Sequence, residues 1–304
     1  MNKSFTLIEI LVVIVVIGVL SAFILVGMNS ITSSASIAKG KAFANSVRNS
    51  LLISLVSEWK FEGPTAAEGT VTTNDAKDSW GSNNATVIGG NPLIKSSNCV
   101  SGKCIAFDGT GDVISIPNST TFNFGSYMSV FFWAKAAASV TETYIISKYA
   151  GGGQYGFLMA SSSSGPGRFV IYLYDDGTEN ENHHKSWLTS SIVFDNSWHL
   201  YGFVWNAGTG YIYIDGLSVP YTNGGNLTTN SIWNSTANFC IGGICSGNYV
   251  GSLDEIQIYN QPLSTSQIQE DYYSGLNNLF KNNRITSVEF SRKLIELKSS
   301  LIEN

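Results

Sequence analysis

From Ile10 to Met28 the chain runs for 19 residues without a charge, most of them Ile, Val and Leu. A helix of that length crosses the hydrocarbon core of a bilayer, so the segment is predicted to be a single-pass anchor. Lys3 precedes it, and the positive-inside rule keeps that end cytoplasmic and sends the rest of the chain across, N-in and C-out. A cleaved secretory signal would show a shorter apolar region and then a small-x-small site. Here the pattern continues instead, with Ile31, Ala35, Ala38, Ala42, Val47, Leu51 and Leu55 at helical spacing. A helix from Phe5 to Ser57 is expected, a rod of about 80 Å, with a weak Ser-rich stretch from Gly27 to Ser36.

Glu9 stands at the start of the apolar run, where an unpaired carboxylate is costly and signals function. The segment Lys3-Ser4-Phe5-Thr6-Leu7-Ile8-Glu9-Ile10-Leu11-Val12-Val13 closely resembles the prepilin signature of type IV pilins and type II secretion pseudopilins. The resemblance implies a prepilin peptidase cutting between Ser4 and Phe5, methylation of the new Phe5 amine, and pairing of Glu9 with the terminal amine of a neighbouring subunit. Meeting an opposite charge offsets the cost of a carboxylate in lipid. Ser4 stands where the family usually has Gly, and the helix-bending Pro of major pilins is missing, which leans towards a minor pilin or pseudopilin. Implied partners are other such subunits, the peptidase and the membrane; the implied location is the membrane first and then an extracytoplasmic fibre at the cell surface.

At Glu58 the helical spacing gives way to short alternating apolar runs broken by Gly, Asn, Asp and Ser, the pattern of a β sandwich. Charged residues are 13% of the chain and aromatics 12%, with 30 Gly, which suits antiparallel strands with polar turns better than long solvated helices. Strands are predicted at Cys104 to Phe107, Val113 to Ile116, Met128 to Lys135, Tyr144 to Ser147, Phe157 to Met159, Phe169 to Tyr174, Trp198 to Trp205, Tyr211 to Ile214 and Leu253 to Tyr259. Asp215-Gly216 reads as a tight hairpin turn.

Several segments, in order, resemble the LamG-like, concanavalin A-like family: Glu58-Trp59-Lys60-Phe61-Glu62, Asp78-Ser79-Trp80-Gly81, Gly102-Lys103-Cys104-Ile105-Ala106-Phe107-Asp108-Gly109, Tyr211-Ile212-Tyr213-Ile214-Asp215-Gly216 and Gly251-Ser252-Leu253-Asp254-Glu255-Ile256. The expected fold is mainly β, an antiparallel jelly-roll sandwich preceded by a long N-terminal helix and followed by a short C-terminal helical hairpin. The expected division is a leader over 1–4, the anchor and assembly helix over 5–57, the sandwich over 58–262 and helices over 263–304. The fold alone does not choose among lectins, adhesion modules and hydrolases.

A net charge of -5 with no run of Lys or Arg gives no electrostatic footprint for nucleic acid, which is not an expected partner. The cysteines form two identical C-x4-C spacings, Cys99/Cys104 and Cys240/Cys245, each reading as a hairpin with facing cysteines. Local disulfides suit the oxidising compartment that export implies; thiols, zinc and cross-pairing are the alternatives.

Hydrolysis on a jelly roll needs two carboxylates flanking the scissile bond. Asp254 and Glu255 are adjacent, so on a regular strand they face opposite sides. Glu179 and Glu181 lie in the polar run Asp175 to His184, expected to be a solvated loop. Calcium is implied by the LamG-like resemblance, with Glu62, Asp78 and Asp254 as ligands; the alternative is that these carboxylates cap turns. For sugar binding, Trp187, Trp233 and Tyr249 adjoin polar loops and are the candidates, whereas Trp59, Trp133, Trp198 and Trp205 sit in apolar strands and read as core. His199 is assigned no role.

In the tail, Ser264 to Gln267 and Thr286 to Glu289 are capping-box patterns. Phe290, Leu294, Leu297 and Leu301 form a stripe for packing, with Arg292, Lys293 and Lys298 off it. The expected protein is a non-enzymatic pilin-like subunit displaying a domain for glycans or surface proteins. The alternatives are a purely structural fibre subunit and a membrane-tethered glycan hydrolase.

Overall fold

The computed structural model describes residues 53–65 and 68–299. Ser4, Phe5, Glu9, the apolar run and Leu301 lie outside the described residues. Among the described residues, no helix is long and apolar enough to cross a membrane.

The strands, in chain order, are β1 (Leu55–Trp59), β2 (Gly69–Thr70), β3 (Thr86–Gly89), β4 (Leu93–Lys95), β5 (Cys104–Asp108), β6 (Val113–Ile116), β7 (Tyr127–Lys135), β8 (Tyr144–Ala150), β9 (Gln154–Ser161), β10 (Phe169–Gly177), β11 (His184–Thr189), β12 (His199–Asn206), β13 (Thr209–Ile214), β14 (Leu217–Ser218), β15 (Tyr221–Asn226), β16 (Phe239–Ile241) and β17 (Val250–Tyr259). Two helices follow, α1 (Thr265–Lys281) and α2 (Ser287–Ser299). The first sheet runs β14-β13-β12-β7-β17-β5-β4-β2 with β1 also paired to β17; the second runs β15-β11-β10-β9-β8-β16-β6-β3. Every strand pairing is antiparallel, and the molecule is an antiparallel jelly-roll sandwich. The hairpin at Asp215-Gly216 is observed, both residues at positive φ (52° and 79°), the conformation a two-residue turn requires.

The helix expected to reach Ser57 stops at Ser54. From Leu55 the chain is extended and pairs with β17. The cause is Trp59, which is fully buried between the sheets and stacks on Phe239 at 5.6 Å, and a helical register could not place it there. Burying such a ring is favourable by about 2 kcal/mol or more, which outweighs the modest helix preference of Leu55 and Val56.

The inter-sheet core contains Trp59, Phe132, Phe157, Ile171, Phe203 and Phe239 among others. On β7 the alternate residues Phe131 and Trp133 are also buried although they face outwards, Trp133 under the first C-terminal helix and Phe131 against Gly202 of β12 and Tyr213 of β13. Ser264 caps α1 in a full capping box with Gln267, and the Glu289 N–H donates to Thr286 Oγ1 at the start of α2. Tyr272 stacks on Trp133 at 5.7 Å, and Phe280 stacks on Phe290 at 4.6 Å to join the two helices. Gly275 permits the close approach: a Cβ there would lie 2.4 Å from the Trp133 ring.

Lys293, which lies off the apolar stripe, is buried. Its ammonium lies 2.8 Å from Asp215, which also accepts from His199 Nδ1 at 2.9 Å and from the Leu200 N–H. His199 Nε2 reaches Asp195 at 3.1 Å. His199, given no role above, thus belongs to the lock that holds α2 on the first sheet.

Both local disulfides are present, Cys99–Cys104 and Cys240–Cys245. Neither sits in a two-stranded hairpin as expected. Both edges of β5 are taken, by β4 and β17, and both edges of β16, by β8 and β6, so each bond links a strand cysteine to a loop cysteine.

Candidate ligand-binding face

With the helices spent on the first sheet, the outer face of the second sheet is the one on which no described helix packs. On β10, Phe169, Ile171 and Leu173 enter the core, so the two-residue period turns Val170, Tyr172 and Tyr174 outwards. Tyr174 lies opposite His184 of β11, and Tyr172 opposite Leu158 of β9 and Ser186 of β11. Register shifts near the ends of β8 and β10 set Tyr149 opposite Tyr155. The rings of Tyr149 and Tyr155 stack at 4.4 Å, Tyr174 lies 5.8 and 5.5 Å from them, and His184 lies 5.7 Å from Tyr174 and 6.4 Å from Tyr172. Leu158, Ala160 and Val170, outward-facing yet buried, form the apolar floor.

The Tyr149 hydroxyl donates to the Glu179 carboxylate. Burial, then hydrogen bonding to Glu179, pushes that hydroxyl above the usual tyrosine range; burial and the charge of Glu179 do the same at Tyr174. Tyr144 and Tyr172 are raised by burial and by Glu142. These hydroxyls stay protonated at neutral pH, so the face offers ring surfaces and neutral donors and acceptors, a chemistry for binding.

Two of the three residues expected to bind sugar fall elsewhere. Trp187 is 1% exposed: opposite Ile171 on β11 its alternation points inwards, where it packs on Phe203 at 5.2 Å and Trp205 at 5.8 Å. Tyr249 is fully buried with its ring edge against Phe107 at 5.8 Å. Both are core residues, and proximity to polar loops in sequence did not predict direction. Trp233 is 42% exposed, its backbone N–H donating to the Tyr174 carbonyl and its ring against Gly177, where a Cβ would lie 2.5 Å from Nε1. Trp59, Trp133, Trp198 and Trp205 are buried as expected.

The three carboxylates expected to hold calcium face N–H groups. Asp78 accepts from the amides of Glu58, Trp80, Gly81 and Asn83 at 2.8 to 3.0 Å. Asp254 accepts from Val100, Ser101 and Glu255, and Glu62 from Lys103. Oxygens aimed at by backbone donors do not suit a cation, and these residues do not fit a calcium site. Among the described residues, the one group with metal-ligand proximity is Asp175, Asp176 and His183. Asp175 there accepts from Thr228 N–H and hydroxyl, from the Thr229 N–H and from His183. It fastens the loop after β15 to the end of β10. Sequence reading missed this clamp because Asp175 and the Thr228-Thr229 amides it binds lie 53 and 54 residues apart, beyond any local pattern.

Asp254 and Glu255 do not alternate as a regular strand would make them: the register of β17 shifts between Asp254 and Gln257, and Glu255 takes φ 45°. Burial and the Glu255 charge push Asp254 well above the carboxylate range; burial, opposed by Lys60 and aided by Glu58 and Glu62, brings Glu255 up to about 7. With Asp254 bound to loop amides, the pair secures the turn 99–103 and does not straddle a cleft.

A sequence model of the concanavalin A-like lectin/glucanases superfamily matches residues 108–269, and the prokaryotic N-terminal methylation motif matches residues 1–25. No curated protein matches the chain. Among solved structures, it resembles the binding domain of Paraclostridial Mosquitocidal Protein 1 (TM-score 0.56, 16% identity, 75% of this chain and 53% of that one). It also resembles the botulinum neurotoxin serotype D ligand binding domain in complex with N-acetylneuraminic acid (0.55, 18%, 76% and 53%) and the serotype G binding domain (0.54, 15%, 73% and 51%). The chain spans about half the length of those structures, and at such identity the likeness is one of fold. The matched segment takes in more than half of the chain, from the end of β5 into α1, and its strands close the sandwich described above. This chain belongs to the concanavalin A-like lectin/glucanases superfamily.

Proposed function

We propose that the chain is a pilin-like subunit, of the minor pilin or pseudopilin kind, that displays a carbohydrate-binding module outside the cytoplasm and performs no turnover. The observation that carries this reading is the outer face of the second sheet, where the part-exposed Tyr149, Tyr155, Tyr172 and His184 surround the buried Tyr174 in ring contact above an apolar floor. Aromatic faces beside fixed hydroxyls suit sugars, whose C–H faces stack on rings while their hydroxyls bond at the edges. The methylation motif supports processing between Ser4 and Phe5, and Glu9 is the proposed contact with the neighbouring subunit. The sialic acid bound by one structural neighbour supports a glycan ligand at the level of fold.

Binding of the full chain to an immobilised glycan panel tests the module, with sugar release assayed in parallel. Capture without release is expected; no capture would leave a purely structural subunit, and release would make it a hydrolase. Intact mass tests the anchor: a mature chain that begins with anything but methylated Phe5 overturns the pilin-like processing.

A further inference from the structure

We propose that the tyrosine face selects uncharged glycans, bound as a short oligosaccharide across β8 to β11, and rejects those carrying carboxylate or sulfate; this rests on the carbohydrate-binding reading above. Neighbouring strands lie about 4.8 Å apart, so four strands present a track of about 14 Å, longer than a single sugar ring.

The charges in contact with the tyrosines of this track are acidic. Glu179 is fixed at one side by the Tyr149 hydroxyl, and the fields of Glu142 and Glu179 act on Tyr144, Tyr149, Tyr172 and Tyr174. Among the described residues, the cations on or just before these strands are turned towards other partners. Lys148 of β8 is buried, its ammonium held by Asn118 Oδ1 at 2.6 Å, by the Ala237 carbonyl at 3.0 Å and by the Ser235 carbonyl. Lys185 of β11 lies over the Trp187 ring. Arg168, just before β10 and at the opposite end from Tyr174, donates to the Thr189 carbonyl. An anionic ligand is bound where Arg or Lys forms a charged hydrogen bond; Lys148 is fully committed to other acceptors, and Lys185 and Arg168 are drawn to a ring and a carbonyl away from the tyrosines. A neutral pyranose needs only what the face has: ring surface, hydroxyls and acceptors.

The test uses the full chain in a non-glycosidic detergent against neutral glycans and against matched glycans ending in N-acetylneuraminic acid, uronic acid or sulfate. Neutral glycans are expected to bind and anionic ones to fail. Tyr149→Ala and Tyr155→Ala should each weaken neutral binding by about three- to tenfold, with melting temperature showing that the fold persists. Tyr211→Ala, exposed on the first sheet, should leave binding unchanged. Glu179→Gln keeps an acceptor for Tyr149 and should raise anionic binding by about threefold. A preference for anionic glycans overturns the ligand class while the module reading stands. Neutral binding unaffected by the tyrosine variants overturns the site. No glycan binding of any kind overturns this proposal together with the reading it rests on.

Discussion

Replacing Lys293 by Met keeps the aliphatic stem against the sheet and removes the one ammonium that faces Asp215. The pair is largely enclosed, with 7% of the Lys293 side chain and 16% of Asp215 exposed. Breaking a buried pair costs about 3 to 5 kcal/mol, but Asp215 retains His199 and the Leu200 N–H, so a loss of about 2 kcal/mol is expected, comparable to one charged hydrogen bond. In a domain of this size that is a fall of about 5 °C in Tm. The loss should depend on pH. Burial disfavours the His199 imidazolium, but the hydrogen bond and charge of Asp215 outweigh it and hold His199 above 6.5, while Lys293 opposes that rise. His199 therefore contributes stability that is fully present below its unfolded value of 6.5 and is lost as pH rises through its higher folded value. Asp215 works in the other direction: burial raises it, His199 and Lys293 bring it net below 3.8, and its contribution is lost as pH falls through that lower folded value. Without Lys293, His199 is left as the cation facing Asp215, so Lys293→Met should cost less at about pH 5.5 than at about pH 9. Urea unfolding followed by tryptophan fluorescence gives the energies, and hydrogen exchange over 287–299 shows whether α2 comes loose. An equal loss at both pH values would refute the idea that His199 and Lys293 share one carboxylate.

Burial, helped by Glu255 and Glu58, brings Asp271 up to about 7, as burial does Glu255. A carboxyl with a raised folded value stabilises the fold below its unfolded value and loses that contribution as pH rises through about 7, so Glu255→Gln should raise Tm at about pH 8 and change little at about pH 4; thermal melts at the two pH values decide it. Chelation with EDTA should leave Tm unchanged, because the oxygens of Asp78 and Asp254 are occupied by N–H donors; a drop would show a metal. Each disulfide closes a loop with a sequence separation of 5, worth about 2 kcal/mol by chain entropy, so reduction should lower Tm without unfolding the domain at room temperature. Gly275→Ala should cost about 1 to 3 kcal/mol by driving a Cβ into Trp133, read as a lower urea midpoint.

What could be read from the sequence was local. Met128 to Lys135 declared itself a strand, though not that both its faces are buried, as Phe131 and Trp133 show. Ser264 and Gln267 announced a helix start because a capping box needs only residues three apart. The binding face was hidden because it is a matter of register. Tyr149 meets Tyr155 through shifted pairing, and Tyr174 meets His184 across a turn that the polar run Asp175 to His184 presents as plain loop. Ranking aromatics by nearness to polar residues then selected Trp187 and Tyr249, whose direction is set by strand alternation and not by their neighbours in sequence. Lys293 was hidden for the same reason, its partner Asp215 lying 78 residues earlier.

The same register gives the domain two unlike faces. The strand by which the chain enters, β1, pairs with β17 of the first sheet, and the tail packs on that sheet's outer side; the tyrosines occupy the outer side of the other sheet. Between them lies a core of large rings, Trp59 on Phe239 and Phe132 on Tyr201, and changes at well-separated sites that share no partner add independently. Docking of the tail and binding at the tyrosine face should therefore separate by mutation. Lys293→Met is expected to loosen α2 and leave glycan affinity unchanged, and Tyr155→Ala to lower affinity and leave exchange over 287–299 unchanged. Loss of both properties from either variant would mean that the two sheets do not act independently.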